Sequence, residues 1–183
     1  MSKAIILIGP MAAGKTSVAR ELATLTGRRN VPMDRVRWYY YFKDGFRLEQ
    51  EYSLPNFADV MAYWKPFEVK AVARILDEFP DSIIDFGAGH SYFIDPEQFA
   101  TVQKILEPLP DVYLLLPSPD KAKSLEICNH RLAERKKSAL DANEIEANRN
   151  FIEHESNYRL AKRIFYTDGK TPREVAEAIR AVL

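Results

Sequence analysis

The sequence predicts an α/β fold built on a mainly parallel sheet. Three features carry that reading. Short apolar runs alternate with segments of helical period along the chain. The first run, residues 4–8, is partly β-branched and lacks polar alternation, as a strand buried on both faces should. A glycine-bearing turn then joins it directly to a helical pattern.

Taken in order, the helix after the first strand spans about 14–26, with Val18, Leu22 and Leu25 on one face. Residues 30–33 read as a short second strand ending at Asp34. Over 57–79, Phe57, Val60, Met61, Trp64, Val72, Ile75, Leu76 and Phe79 keep helical spacing. Pro66 falls inside that stretch and predicts a break or kink near Trp64-Lys65, because proline lacks an N–H and crowds the preceding turn. Further strands are expected at 82–86, 112–116 and 163–167. Asp95-Pro96-Glu97-Gln98 supplies an N-cap with proline at the first helical position, and Ser118-Pro119 opens another helix in the same manner. Residues 121–162 are helical in period but more polar, with a restart at Asp141-Ala142-Asn143-Glu144. Thr171-Pro172-Arg173-Glu174 is a capping box, and the terminal helix is expected to bury Val175, Ala178, Ile179 and Val182.

Composition narrows the class. At 183 residues, with 46% hydrophobic and 28% charged side chains and neither repeat nor linker, residues 1–183 read as a single domain. Twenty-six basic residues balance twenty-six acidic ones, so no global field points to nucleic acid or an anionic membrane, and any polyanion site must be local. The lone Cys128 cannot found a disulfide framework and suits a reducing compartment. The early apolar run is too short for a signal peptide, and no stretch approaches a membrane span. A soluble, cytoplasmic protein is expected.

The chemistry begins at Gly9-Pro10-Met11-Ala12-Ala13-Gly14-Lys15-Thr16, which matches G-x-x-x-x-G-K-[ST] in full and is followed by Ser17. Average composition gives that string by chance in fewer than about one chain of this size in a hundred. Its position after a strand and at the opening of a helix is the one its mechanism requires. The glycines let backbone N–H groups turn inward as an anion nest, and the helix start adds a positive dipole end. Lys15 is expected to reach the β- and γ-phosphates, and the Thr16 hydroxyl to ligate Mg²⁺. The expected ligands are ATP and Mg²⁺.

The loop after IILI closely resembles that of the shikimate kinase family, within the small-molecule and nucleoside monophosphate kinases. The resemblance can be followed along most of the chain, with only the loop highly specific. It implies a three-layer P-loop fold, with a five-stranded parallel sheet flanked by helices and a mobile helical lid, here within about 128–150. It also implies transfer of the γ-phosphate of ATP to a hydroxyl of a small molecule.

Asp34 stands where the family carries the carboxylate that handles the acceptor hydroxyl, a role suited to a base beside the γ-phosphate. Its other reading is a turn aspartate capping the next helix. The family pattern is Asp-x-Asp, whereas this chain has Pro32-Met33-Asp34, keeping only the second acid. Asp85, closing a Walker B-like Ile83-Ile84-Asp85, could help hold Mg²⁺ in place of the acid missing at Pro32. Gly87-Ala88-Gly89 resembles the family's glycine triplet, with two glycines of three, and His90 after it is either a substrate contact or a structural donor. Arg131 and Arg135 share a helix face and, with Lys136 and Lys137, resemble the lid arginines; the alternative is a solvated basic helix end.

Both arginines with which the family grips the acceptor's carboxylate look altered. Lys65, with Glu68, falls where one arginine should be, and His154 falls where the other should be. A kinase with a different acceptor follows, the alternative being a divergent shikimate site, with Lys65 and His154 as the altered substrate contacts. The run Trp38-Tyr39-Tyr40-Tyr41-Phe42 could line that acceptor side or serve as core. Asp34-Arg35-Val36-Arg37 also resembles polynucleotide kinases and antibiotic phosphotransferases, although zero net charge counts against a polynucleotide. A nucleotide-binding regulator without an acceptor is the reading from a different class.

Overall fold

The computed structural model describes residues 3–183. Its centre is β1, Ile5–Ile8, buried along its whole length. On one side lie β3, Ile83–Asp85, and then β2, Asn30–Pro32; on the other lie β4, Val112–Leu116, and then β5, Arg163–Tyr166. The order is β2-β3-β1-β4-β5 and every pairing is parallel. Burial follows that order: β1, β3 and β4 are wholly buried, while β5 exposes both its end residues at the sheet's edge. The five-stranded parallel sheet flanked by helices is therefore the architecture the sequence predicts.

The first helix is α1, Lys15–Thr26, which buries Val18, Ala19 and Leu22. The second, α2, spans Met33–Lys43 and begins with no loop after β2. Asp34 consequently lies in the first turn of a helix rather than at a strand end, with its carboxylate favoured by the N-terminal dipole. The aromatic run lies on α2 and faces several ways: Tyr40 and Tyr41 are buried, Tyr39 and Phe42 exposed. After the short α3, Leu48–Tyr52, comes α4, Phe57–Glu78.

The expected break at Pro66 is absent, for α4 runs as one helix through it. Proline inside a helix costs about 3 kcal/mol. Here Ala71, Val72 and Ile75 are sealed in the core on one side of it, and Lys65 and Glu68 are bonded on both of its flanks. Those contacts hold the helix together across the lost bond.

A 3₁₀ turn, Ala88–Ser91, follows β3 and leads to α5, Pro96–Leu106, capped by Asp95 as expected. The next helix, α6, Lys121–Lys136, starts two residues later than Ser118 suggests, because Asp120 is its N-cap. Ser118 is instead locked to Ser124, whose Oγ donates to the Ser118 carbonyl at 2.8 Å and accepts from its N–H at 3.0 Å. Asp141 closes a capping box on α7, Ala142–Glu153, and α8 covers Glu155–Leu160. Last comes α9, Pro172–Arg180, with its predicted capping box. It packs on α1 and buries Val175, Ala176 and Ile179, whereas Ala178 points outward and Val182 lies exposed beyond its end. The helix turns Ala176 inward, beside Val175, where the apolar spacing suggested Ala178. No helix of the described residues is long and apolar enough to cross a membrane.

Candidate active site

Parallel strands deliver their following loops to one edge of the sheet. There the phosphate loop leaves β1, Asp34 follows β2, the glycine turn follows β3 and Thr167 follows β5.

The loop's shape is fixed by backbone geometry. Gly9 has a φ of 136°, and a Cβ on it would collide with the carbonyl oxygen of Leu115 on β4. Ala12 adopts a left-handed φ of 60° without being glycine, a strained position of the kind that clusters at ligand sites. Gly14 is the N-cap of α1 and makes no side-chain cap, so the first N–H groups of that helix keep their affinity for an anion. Lys15 is nearly buried, and its Nζ donates to the carbonyls of Gly9 and Pro10, both at 2.8 Å. Burial lowers its pKa, an effect opposed by attraction to Asp34 and Asp85.

Asp85 is buried at the end of β3, and its Oδ2 accepts from the Thr16 hydroxyl at 2.7 Å. Its Oδ1 is buried with no hydrogen-bond partner among the described residues. Burial raises the carboxyl's pKa against the opposing pull of Thr16 and Lys15. A hydroxyl and an unsatisfied carboxylate oxygen side by side are the donor set Mg²⁺ uses when substrate phosphates and water complete its shell. The strand register sharpens this: Pro32, where the family's first acid is missing, pairs with Asp85 across the sheet.

A cavity of about 450 Å³ opens over the loop. Among the residues lining it are Met11, Ala12, Ala13, Gly14, Lys15, Thr16 and Ser17, together with Asp34, Ala88, Arg131 and Arg135. Asp34 is 67% exposed, and a Cβ on Gly87 would strike its Oδ1, so the turn must be bare for the carboxylate to lie there. Arg131 is fixed by a 3.3 Å bond to Thr167 Oγ1, which itself donates to the Ala13 carbonyl at 3.3 Å. Four residues from distant parts of the sequence thus converge on the loop: Asp34, Ala88, Arg131 and Arg135.

Three expected substrate residues are placed differently. Lys65 Nζ donates to Glu68 Oε2 at 2.6 Å, to the Gly89 carbonyl at 2.8 Å and to the Tyr92 carbonyl at 2.7 Å. An ammonium has three donors, and all three are engaged. A Cβ on Gly89 would collide with Glu68 Oε1, so the lysine, the buried glutamate and the turn form one packed unit. His90 is fully buried beside Phe86 and Tyr41, its Nε2 3.1 Å from the Tyr41 hydroxyl. Burial pushes its pKa down to about 3, so the ring is neutral and structural. His154 caps α8, with Nδ1 accepting from the Ser156 N–H at 3.2 Å, and packs edge-on to Tyr92. Neither histidine lines the phosphate cavity.

Sequence reasoning missed Asn148, which is buried on α7. Its Oδ1 accepts from the Met11 N–H at 2.9 Å and its Nδ2 donates to Asn129 Oδ1 at 3.0 Å, tying the phosphate loop to α7 and α6. Nothing local marks it. Thr167 and Lys170, also in the cavity wall, carried a signal: they follow the last parallel strand, where such sites gather.

No family model matches the chain. Over 128 residues it is 29% identical to a shikimate kinase of Parabacteroides distasonis, a match covering 70% of this chain and 66% of that relative's length. The structure of an Acinetobacter baumannii shikimate kinase in complex with shikimate aligns over 100% of this chain and 93% of its own, with a TM-score of 0.70 at 21% identity. A tunicamycin resistance protein of Deinococcus radiodurans aligns over 100% and 95%, with a TM-score of 0.57 at 19% identity. The chain has a shikimate kinase-like P-loop kinase fold.

Proposed function

We propose that this protein is an ATP- and Mg²⁺-dependent small-molecule kinase that phosphorylates a hydroxyl, with an acceptor other than shikimate. The observation that carries the reading is the shared cavity, in which Asp34, Arg131 and Arg135 face the phosphate loop. The relative named a shikimate kinase supports a phosphotransferase.

In this reading the loop N–H groups and Lys15 cradle the β- and γ-phosphates. Thr16 and Asp85 hold the metal, which when bound offsets phosphate charge. Asp34 accepts the proton of the acceptor hydroxyl as its oxygen bonds to the γ-phosphorus. As the bond from that phosphorus to the bridging oxygen breaks, the electron pair stays with ADP, and Lys15, Arg131 and Arg135 stabilise the charge in transit. The lid, within about 128–150, closes over the site and excludes water. Residues 1–183 act as one domain.

The engaged state of Lys65 supports an acceptor other than shikimate, since its three N–H groups are already bonded within the protein. The test is ADP release with Mg-ATP against shikimate, nucleosides, nucleoside monophosphates, sugars, aminoglycosides and a 5′-hydroxyl oligonucleotide. Release that depends on a non-shikimate acceptor is the expected result. Hydrolysis indifferent to every acceptor, and unchanged in Asp34→Asn, would replace the kinase with a nucleotide-dependent regulator.

A further inference from the structure

A second cavity, of about 650 Å³, lies between the first half of α4, the segment after the 3₁₀ turn and α7. That volume suits a drug-sized molecule. Phe57, Met61, Tyr92, Ile94 and Phe151 supply apolar wall, and Phe57 and Ile94 remain 40% and 73% exposed. Large apolar side chains left open to water around a concave space mark a binding surface rather than unfinished core.

The groove adjoins the phosphate cavity. Tyr92, Ala147 and Phe151 pack against Met11 and Ala88, both of which also line that cavity, so the two spaces share one apolar wall. Its lining offers no free cation. Lys65 is the sole cation in the lining and is consumed by Glu68 and two carbonyls. The other charged side chains in the lining are Asp95, which accepts from the Gln98 N–H at 2.8 Å, and Glu146, which lies 3.4 Å from Arg149 Nε. An anion entering here would meet two carboxylates and no cation free to pair with it.

From this we infer that the groove holds the body of the acceptor, and that the acceptor is an alcohol with an extended apolar portion and no anionic group. The inference rests on the kinase reading for its hydroxyl and on the groove for everything else. The apolar portion lies along α4 and α7, and the hydroxyl reaches across the Met11–Ala88 wall towards Asp34.

The experiment uses Nile red, a neutral apolar dye, bound to the full chain and displaced by octanol or by octanoate, which share a hydrocarbon body and differ in charge. Octanol should displace the dye at concentrations roughly tenfold lower than octanoate. Ala62 is an exposed groove residue on α4, so Ala62→Trp fills the space without disturbing the core. It should weaken dye and octanol binding by about tenfold or more, while binding of a fluorescent ATP analogue stays unchanged. Dye binding that Ala62→Trp leaves intact, or octanoate equal to octanol, overturns the inference. ADP release on the same samples separates it from the kinase reading. Acceptor-dependent release that survives Ala62→Trp overturns the groove assignment and leaves the kinase standing. Groove binding lost in Ala62→Trp, with hydrolysis indifferent to every acceptor and unchanged in Asp34→Asn, supports the groove's chemistry and removes the kinase.

Discussion

The phosphate cavity and the groove beside it are made of opposite materials. The floor of one is backbone: N–H groups at the start of α1, carbonyls holding Lys15, and Gly87, bare of a Cβ where Asp34 approaches. The other is side chain: aromatic and aliphatic walls contributed by α4, α7 and the segment between β3 and α5. A phosphate cradle built from main chain tolerates little variation, because its geometry depends on a few special φ values. A wall of side chains can be rewritten residue by residue without moving the backbone. A fold built this way can keep its phosphate loop while its acceptor side changes.

The comparison breaks most sharply at Asp34. Asp34→Asn should lower acceptor-dependent turnover by about 10²–10⁴-fold, the range for losing a general base, with ATP binding unaltered in equilibrium titration. A parallel fall in ATP affinity would mean that the two sides are not separable.

On the acceptor side, Lys65→Met leaves Glu68 buried without its cation. A loss of about 3–5 kcal/mol is expected in urea unfolding, with most of it recovered when Glu68 is also changed to Met. A small loss would mean that the lysine is free to serve a ligand.

His90 gives a pH signature. Its folded pKa is lowered from 6.5 to about 3, so as pH falls through that window the unfolded chain takes up a proton that the folded chain refuses. Its contribution is complete above the unfolded value and is lost towards the folded one. The wild-type stability curve should be steeper than that of His90→Gln by about 1.4 kcal/mol per pH unit within the window. Equal slopes would mean that the ring is solvated and available to substrate.

Asp85→Asn makes the smallest change and sharpens the phosphate side. Magnesium affinity should fall by about 10-fold or more. The raised carboxyl pKa means that the folded chain holds this proton more tightly than the unfolded chain, so stability declines as pH rises through the window above 3.8. Removing the charge should therefore stabilise the metal-free protein at neutral pH, as thermal unfolding can report. Unchanged magnesium affinity would take Asp85 out of the metal site.

Much of this was legible from the chain alone, for reasons that are local. Residues 9–16 state the phosphate loop in one window, because the backbone turn, the lysine and the helix start are neighbours in sequence. The capping box predicted at Thr171 and the helix restart predicted at Asp141, which also closes a capping box, are four-residue devices, and both are present. The strands were readable as apolar runs because a parallel sheet covered on both faces needs no alternation. Where the signal was local but its context was not, the reading slipped. Pro66 argued for a break that packing on both flanks overrides, and Ser118 resembled a cap although Ser124 claims it.

Only the tertiary structure decided what Lys65, His90, Asn148 and the groove are. A lysine's type fixes its charge, but whether its three donors are free depends on carbonyls 24 and 27 residues away. His90 becomes neutral because Tyr41 and Phe86 close over it, and Asn148 meets the phosphate loop across 137 residues. The sequence by itself determined the phosphate loop, because hydrogen bonds within one turn are set by adjacent residues. The shape and charge of the acceptor space are sums over side chains that meet only after the sheet has formed.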